Sequence, residues 1–137
     1  MKTRYVDLIE QTFDFPKDEF KLDDDQLVWN DLPLVELLEK HGTPLRISYL
    51  PKIGEKIELA RNCFAKAFAT HNYSGSYEYF YCTKSNHFHY VIDKVLDKGV
   101  NLETSSAYDL EMIELLIERG RITKDATILC NGFKDER

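Results

Sequence analysis

Lys84 is the residue of this sequence whose position is best suited to chemistry. It directly follows Tyr77–Thr83, an aromatic-rich run that we predict to be a strand buried on both faces. A lysine at the end of such a strand would be partly desolvated, which lowers its pKa and makes a neutral, nucleophilic amine available for Schiff-base chemistry. The alternative is a lysine that simply extends into solvent. Spacing alone favours that alternative, because surface lysines far outnumber reactive ones.

Two further polar segments follow short predicted strands. Ser105-Ser106 comes after Val100–Thr104, and Asn131-Gly132 comes after Ala126–Cys130. The carboxyl ends of parallel strands meet at one edge of a sheet, which is where α/β proteins bind their ligands. The start of a helix at Ser106 could offer N–H groups to an anion, although a plain helix cap is the simpler interpretation.

The elements that would position these residues alternate between helices and strands. In chain order we first predict a helix capped by Asp31 and ended by Gly42, a strand at Leu45–Leu50 and an amphipathic helix from Ile53 to about Thr70. The strand Tyr77–Thr83 follows, then a helix on Phe88, Val91, Val95 and Leu96 that ends at Gly99, and then the strand Val100–Thr104. The last two elements are a helix capped by Ser106 and Asp109, with Leu110, Ile113, Leu116 and Ile117 on its apolar face, and the strand Ala126–Cys130. Short connections imply βαβ units and a parallel sheet. The sequence therefore predicts an α/β fold.

The length limits how much of a barrel the chain can form. A complete eight-fold (β/α) barrel takes roughly 250 residues, and this chain has 137. We therefore predict a partial barrel over residues 31–137, truncated at its C-terminus, after an N-terminal extension over residues 1–30. That extension is hard to interpret, and its acidic run Asp23-Asp24-Asp25 is typical of a solvated loop.

Composition narrows the function classes. The net charge is −6 and the basic residues are scattered among acids, so we expect no nucleic-acid partner. No apolar run approaches the length of a membrane span, and the N-terminus lacks the features of a signal peptide, so we expect a cytoplasmic protein with no membrane partner. Cys63, Cys82 and Cys130 are predicted to be buried free thiols, and His87 and His89 do not have the spacing of a metal site.

Four motifs in register resemble one family. Tyr81–Asn86 resembles the aromatic-x-x-Lys-x-Asn segment of the barrel-type, pyridoxal-phosphate-dependent decarboxylases (fold type III) that act on ornithine, diaminopimelate and arginine. His41–Leu45 is similar to their Gly-Thr-Pro segment, and Leu102–Leu110 to the strand and helix start that follow the lysine. Leu129–Asp135 is similar to a Cys-Asn-Gly-aromatic-Lys-Asp stretch of biosynthetic arginine decarboxylases, and Glu103 also fits that branch.

The resemblance implies roles for particular residues. Lys84 would hold pyridoxal 5′-phosphate as an internal aldimine, and the pyridine ring would take up the electrons released as carbon dioxide leaves. Glu103 would tune the charge of that lysine, while Asn86, Ser106 and Asn131 would support the cofactor site from farther away. The fold would be the N-terminal portion of an alanine-racemase-like TIM barrel, with Lys84 at the end of a central strand and Glu103 and Asn131 at the ends of its neighbours.

The family is considerably longer than this chain, which carries no counterpart of its glycine-rich phosphate site, its ring-stacking histidine, its acid facing the pyridine nitrogen or its C-terminal Cys-Asp segment. We therefore predict conversion of arginine to agmatine, a step of polyamine biosynthesis, for a full-length protein that is a homodimer or larger, and inactivity for this fragment alone. One alternative is a non-catalytic α/β module with a binding or regulatory role. Another is racemisation, which the Cys-Asn-Gly-Phe-Lys-Asp segment argues against.

Overall fold

The computed structural model describes residues 19–132, which belong to two compact units. The first unit extends to Ile47, and the second begins at Ser48. The sequence interpretation began the barrel part at residue 31, a boundary that stays a prediction. Within residues 19–132, no helix is both long and apolar enough to cross a membrane.

The first unit contains an antiparallel sheet in the region that was hardest to interpret from sequence. Strand β1 (Phe20–Asp23) pairs with β2 (Gln26–Trp29), and β2 pairs with β3 (Leu32–Pro33). The two connections, Asp24-Asp25 and Asn30-Asp31, each have two residues, and all four have positive φ. Asn and Asp tolerate this backbone conformation, which matches the twist of tight hairpins. Most of the predicted acidic loop is therefore a turn between strands.

Helix α1 (Leu34–His41) begins two residues later than predicted. Its N-cap is Pro33, with no side-chain capping bond. The prediction that Asp31 caps this helix is wrong, because Asp31 lies in the turn before β3 and accepts a hydrogen bond from Lys21 Nζ. Gly42 ends the helix as predicted, with φ +78° and its N–H bonded to the carbonyl oxygen of Leu38.

The predicted strand at Leu45–Leu50 is wrong. Its side chains do alternate, with Leu45, Ile47 and Tyr49 half-buried and the residues between them exposed. The segment nevertheless belongs to neither described sheet. A two-residue period of burial is necessary for a half-buried strand, but a strand also needs a hydrogen-bonded neighbour, which the sequence pattern cannot specify.

The second unit has the predicted alternation of helices and parallel strands. In chain order its elements are α2 (Pro51–His71), β4 (Phe80–Cys82), α3 (His89–Leu96), β5 (Asn101–Thr104), α4 (Ala107–Glu118) and β6 (Ile128–Cys130). The strands are ordered β4-β5-β6, and both pairings are parallel. The α/β class is thus confirmed, with strands shorter than predicted.

One face of each helix in this unit meets the sheet around a common core. The fully or nearly fully buried apolar residues are Ile57, Val91, Ile92, Val95, Val100, Leu102, Ile113 and Leu116. The predicted helical spacing therefore identifies much of the core, because residues three and four apart share a face. Phe88 and Leu110, predicted for the same faces, are instead 50% and 36% exposed, and Phe88 lies just before α3 as its N-cap residue.

Two predictions of burial are wrong. Strand β4 is half-buried, not buried on both faces, and within the described sheet it lies at an edge with β5 as its neighbour. All three cysteines are free as predicted, but Cys63 and Cys130 are exposed and Cys82 is half-buried. Cys63 is on an outward face of the long helix α2, where an apolar neighbourhood in sequence does not imply burial.

Candidate functional site

Two anchored residues hold the backbone on either side of Lys84. Thr83 is fully buried, and both its N–H and its hydroxyl donate to the carbonyl oxygen of Glu103, each at 3.0 Å. On the other side, the N–H and the hydroxyl of Ser85 both donate to the Cys82 carbonyl oxygen, at 3.1 and 2.6 Å. The end of β4 is therefore tied to β5 and closed by a tight turn, which fixes where the Lys84 side chain leaves the sheet.

One carboxylate oxygen on β5 contacts side chains from the ends of both neighbouring strands, β4 and β6. Glu103 Oε1 lies 3.3 Å from Lys84 Nζ, 2.9 Å from Asn131 Nδ2 and 3.6 Å from Cys82 Sγ. Lys84 and Cys82 belong to the end of β4, Glu103 to β5, and Asn131 directly follows β6. We refer to these four residues as the Glu103 cluster. The structure thus brings Lys84, Glu103 and Asn131 together at the carboxyl edge, as predicted, although Lys84 follows an edge strand of the described sheet and not a central one.

The charge state of Lys84 differs from the prediction. Its side chain is 59% exposed, so burial removes little hydration from the ammonium group. The Cys82 sulfur and the Glu103 carboxylate beside it stabilise the charged form and raise the pKa of Lys84. The prediction of a lowered pKa is wrong because it rested on a desolvated strand end, whereas the Lys84 side chain is largely exposed.

Glu103 is the more enclosed member of the pair, with a side chain only 17% exposed. The amide of Asn131 is the main cause that lowers the pKa of Glu103, while partial burial opposes it; Lys84 and then Cys82 lower it further. The result is an ionised carboxylate facing an ammonium group. The neutral amide of Asn131 therefore contributes at least as much to keeping Glu103 ionised as the positive charge of Lys84 does.

Ser106 forms the helix cap that its sequence predicts. Its hydroxyl accepts from Asp109 N at 3.3 Å, and the Asp109 carboxylate accepts from Ser105 N and Ser106 N, both at 2.8 Å, completing a capping box. Burial raises the pKa of Asp109, but the bonds from Ser105, Thr83 and Ser106 outweigh it and the net shift is downward. Because an internal carboxylate already occupies these two N–H groups, the plain helix cap describes Ser106 better than an anion site.

Asn86 is also a local structural residue. Its side-chain oxygen accepts from Phe88 N at 3.1 Å, and its carbonyl oxygen accepts from the Tyr81 hydroxyl at 2.9 Å. These bonds shape the loop that leads into α3, and they do not connect Asn86 to Glu103. Among residues 19–132 there is no group of three or more His, Cys, Asp or Glu side chains arranged to hold a metal ion.

A cavity of about 410 Å³ adjoins Lys84 at the same edge. Its lining residues are Lys84, His87, Ser105, Ser106, Tyr108, Asp109 and Met112. Within residues 19–132, the buried Ser105 hydroxyl oxygen has no hydrogen-bond partner. An unsatisfied buried hydroxyl is uncommon in proteins, and this one belongs to a residue that lines the cavity.

Sequence reasoning overlooked two members of this site. Cys82 was interpreted as core, yet its sulfur contacts the Glu103 carboxylate. Thr83 was treated only as part of the strand, although its buried hydroxyl joins β4 to β5. The signal for both was their position: Cys82 and Thr83 immediately precede a lysine at a strand end, where polar side chains converge on neighbouring strands.

These features define a class first: an α/β protein with a lysine–acid pair at the carboxyl edge of a parallel sheet, where such folds bind their ligands. No protein-family model matches the chain. Individual relatives do. The chain is 33% identical to biosynthetic arginine decarboxylase 2 of a Synechocystis species over 120 residues, covering 77% of this chain and 18% of that protein. It is 32% identical to the biosynthetic arginine decarboxylase of a Nostoc species over 98 residues, covering 69% and 14%.

A solved structure agrees on the fold. The crystal structure of the biosynthetic arginine decarboxylase SpeA from Campylobacter jejuni matches with a TM-score of 0.60 at 24% identity, covering 98% of this chain and 23% of that one. The chain is therefore homologous to a segment of the biosynthetic arginine decarboxylases, which confirms the family resemblance seen in its motifs. It spans less than a fifth of the length of the two relatives compared.

Proposed function

We propose that this chain supplies the lysine-bearing edge of a pyridoxal-phosphate-dependent arginine decarboxylase, which converts arginine to agmatine. The observation that carries the proposal is the convergence of Lys84, Glu103 and Asn131 on one oxygen atom at the carboxyl ends of three neighbouring strands. Its support from relatives is that proteins named biosynthetic arginine decarboxylases match about three quarters of the chain. We propose the activity for a longer protein that includes this segment.

The exposed amine of Lys84 fits a covalently bound aldehyde cofactor. Its side chain is reachable at 59% exposure, it borders a cavity of about 410 Å³, and the partnerless Ser105 hydroxyl lies in the same lining. When bound, pyridoxal phosphate supplies a ring that accepts the electrons left behind as carbon dioxide departs. Asn86 and Ser106 would contribute indirectly, by ordering the backbone at the starts of α3 and α4.

Glu103 controls a proton at Lys84 Nζ. A carboxylate 3.3 Å from the amine favours positive charge on that nitrogen. Attack on an aldehyde needs the neutral amine, so the fraction of reactive Lys84 rises with pH through its raised pKa. The anchored turn at Thr83 and Ser85 keeps the Lys84 side chain at the carboxyl edge of the sheet in both its protonated and its neutral state.

The remaining features of the family stay predictions for the longer protein. We propose that β4, β5 and β6 are consecutive strands of a (β/α) barrel, an arrangement that the parallel order β4-β5-β6 supports. Assembly as a homodimer or larger oligomer and a cytoplasmic location are proposed with it.

The test is turnover of the complete protein with pyridoxal phosphate. We expect it to release carbon dioxide and agmatine from arginine in preference to ornithine or diaminopimelate. Lys84→Ala should abolish this release and the visible absorption of the bound cofactor, because no other amine occupies that position in the Glu103 cluster.

Lys21→Ala is the matched control. Lys21 is 58% exposed and also paired with an acid, Asp31, but it lies on β1. Its loss should leave turnover unchanged. Undiminished turnover in Lys84→Ala would refute the role of this lysine, conversion of L-arginine to D-arginine without carbon dioxide would indicate racemisation, and absence of any reaction in the complete protein would favour a non-catalytic module.

A further inference from the structure

Backbone contacts of Asn131 and of the next residue fix the position of Asn131 closely. Its N–H donates to the Thr104 carbonyl oxygen at 2.8 Å, one residue beyond the end of β6. The next residue, Gly132, has φ +80°, and a Cβ atom there would lie only 3.0 Å from the Ser105 carbonyl oxygen. A glycine is therefore required where the chain after β6 passes close to the chain after β5.

The orientation of the Asn131 amide is set by its bonds. Its Oδ1 accepts from Gly132 N at 2.8 Å, which only an oxygen can do. The amide nitrogen must then face the other way, and it donates to Glu103 Oε1 at 2.9 Å. Among the three groups at that oxygen this is the shortest contact, compared with 3.3 Å for Lys84 and 3.6 Å for Cys82.

We propose that Asn131 is a positioning residue that holds Glu103 Oε1 against Lys84 and so limits how readily the lysine amine reacts. The amide does not need to touch a substrate or a cofactor to do this, since it acts through the carboxylate. This inference rests on the proposed role of Lys84 as the reactive amine, but it concerns a property of the chain that can be measured without cofactor.

The test measures the reactivity of the Lys84 amine in the complete, cofactor-free protein. Reductive methylation with formaldehyde and borohydride is followed at Lys84 by mass spectrometry from pH 6 to pH 10. With Asn131→Leu, which removes the amide at similar volume, Lys84 should be methylated about threefold faster near neutral pH, because a displaced carboxylate stabilises the ammonium form less and the lysine pKa falls. Asn131→Ala should act in the same direction, which keeps the test valid if leucine disturbs folding.

Asn101 provides a matched control for the amide itself. Asn101 Nδ2 donates to Glu78 Oε2 at 3.3 Å, so it forms the same type of bond at the opposite end of β5. Asn101→Leu should leave the Lys84 methylation profile unchanged. His87 and Asp109 line the cavity beside Lys84 and can also influence it, but they are present in every variant, so the comparison isolates the amide.

A double-variant cycle separates positioning from a merely structural role. Glu103→Gln alone should speed methylation of Lys84, and adding Asn131→Leu should then change nothing, because the amide acts only through the carboxylate. If Asn131 matters only for the turn at Gly132, its loss will still shift the profile in the Glu103→Gln background. That result, or an unchanged profile in Asn131→Leu alone, would overturn the proposal.

The experiments distinguish failure of this inference from failure of the proposed function. The expected methylation profiles in a protein that releases no carbon dioxide would leave the positioning role standing and reject the decarboxylase. Arginine turnover that depends on Lys84, together with Lys84 methylation that is unchanged in Asn131→Leu, would support the decarboxylase and reject the positioning role.

Discussion

Two lysine–acid pairs in this molecule differ in the exposure of the acid and not in that of the lysine. Lys84 and Lys21 are almost equally exposed, at 59% and 58%, and each has a raised pKa. Their partners contrast sharply: Glu103 is 17% exposed, whereas Asp31 is 84% exposed. Asp31 lies in a hairpin turn, while Glu103 lies in the central strand of the parallel sheet.

This contrast indicates what distinguishes a candidate site from an ordinary surface pair. An exposed pair is screened by solvent and its geometry is loosely held. Glu103 is held by Asn131 and packed at the edge of the sheet, so its carboxylate meets Lys84 in a defined arrangement. Exposure or pKa of the lysine alone would not have separated the two.

The contrast predicts unequal effects of removing each acid. Glu103→Gln should lower arginine turnover of the complete protein by about a hundredfold, the scale of one positioned proton-handling group. Asp31→Asn, the matched change in the first unit, should leave turnover unchanged. Steady-state rates for both variants test this. Equal effects of the two substitutions on turnover would contradict this prediction, because they would show that fixing the Glu103 carboxylate in place has no consequence for the reaction.

The pH dependence of the Lys84–Glu103 pair follows from the two opposite pKa shifts. The lowered pKa of Glu103 means that its contribution is present above its unfolded pKa and is lost as pH falls through the folded value. The raised pKa of Lys84 means that its contribution is present below its unfolded pKa and is lost as pH rises through the folded value. The pair is therefore charged on both sides throughout the neutral range.

The fold of the second unit could be predicted from sequence because its elements carry local signals. Helical spacing identified Val91, Val95, Ile113 and Leu116 as core, and Ser106 with Asp109 formed the predicted cap. The antiparallel sheet of the first unit was missed because its strands have two to four residues and its turns use Asn and Asp instead of glycine. Leu45–Leu50 failed for the opposite reason, since its alternation has no pairing partner in either sheet.

The position of the site was predictable, but its charge state was not. The carboxyl ends of parallel strands must meet, so Lys84, Glu103 and Asn131 could be placed together from their order in the chain. The direction of the Lys84 pKa shift depends on which groups lie within a few ångströms of its nitrogen and on how much water surrounds it. Those distances arise from side-chain packing across strands, which no motif in a single sequence specifies.

The sheet that holds Glu103 also leaves apolar surface exposed in the described part of the chain. Within residues 19–132, β6 pairs with β5 on one side only, and its Leu129 is 45% exposed. Leu59 and Leu115 on the helices are 54% and 49% exposed. Unpaired strand edges and apolar patches favour association with other chains. We therefore expect the isolated 137-residue chain to self-associate in sedimentation experiments and to release no carbon dioxide from arginine.

A charged substitution tests whether the strand edge is the cause. Leu129→Lys should reduce self-association of the isolated chain, because a lysine on an edge strand opposes pairing with another edge. Thr127→Lys, at an exposed position just before β6, is the control and should do less. A monomeric 137-residue chain with a sharp cooperative melt would contradict the prediction.

The smallest effect is expected at Ser106, which lies at the same edge but outside the Glu103 cluster. Ser106→Ala removes the hydroxyl that accepts from Asp109 N and donates to Asp109 Oδ2, so the first turn of α4 loses its cap. Such a loss typically costs about 1 kcal/mol of unfolding free energy. Ser106→Thr retains the hydroxyl and should cost much less, and denaturant unfolding of the complete protein measures both. A loss of turnover in Ser106→Ala as large as that in Glu103→Gln would show that the site extends beyond the cluster, because a helix cap alone cannot remove a group that handles the proton of Lys84.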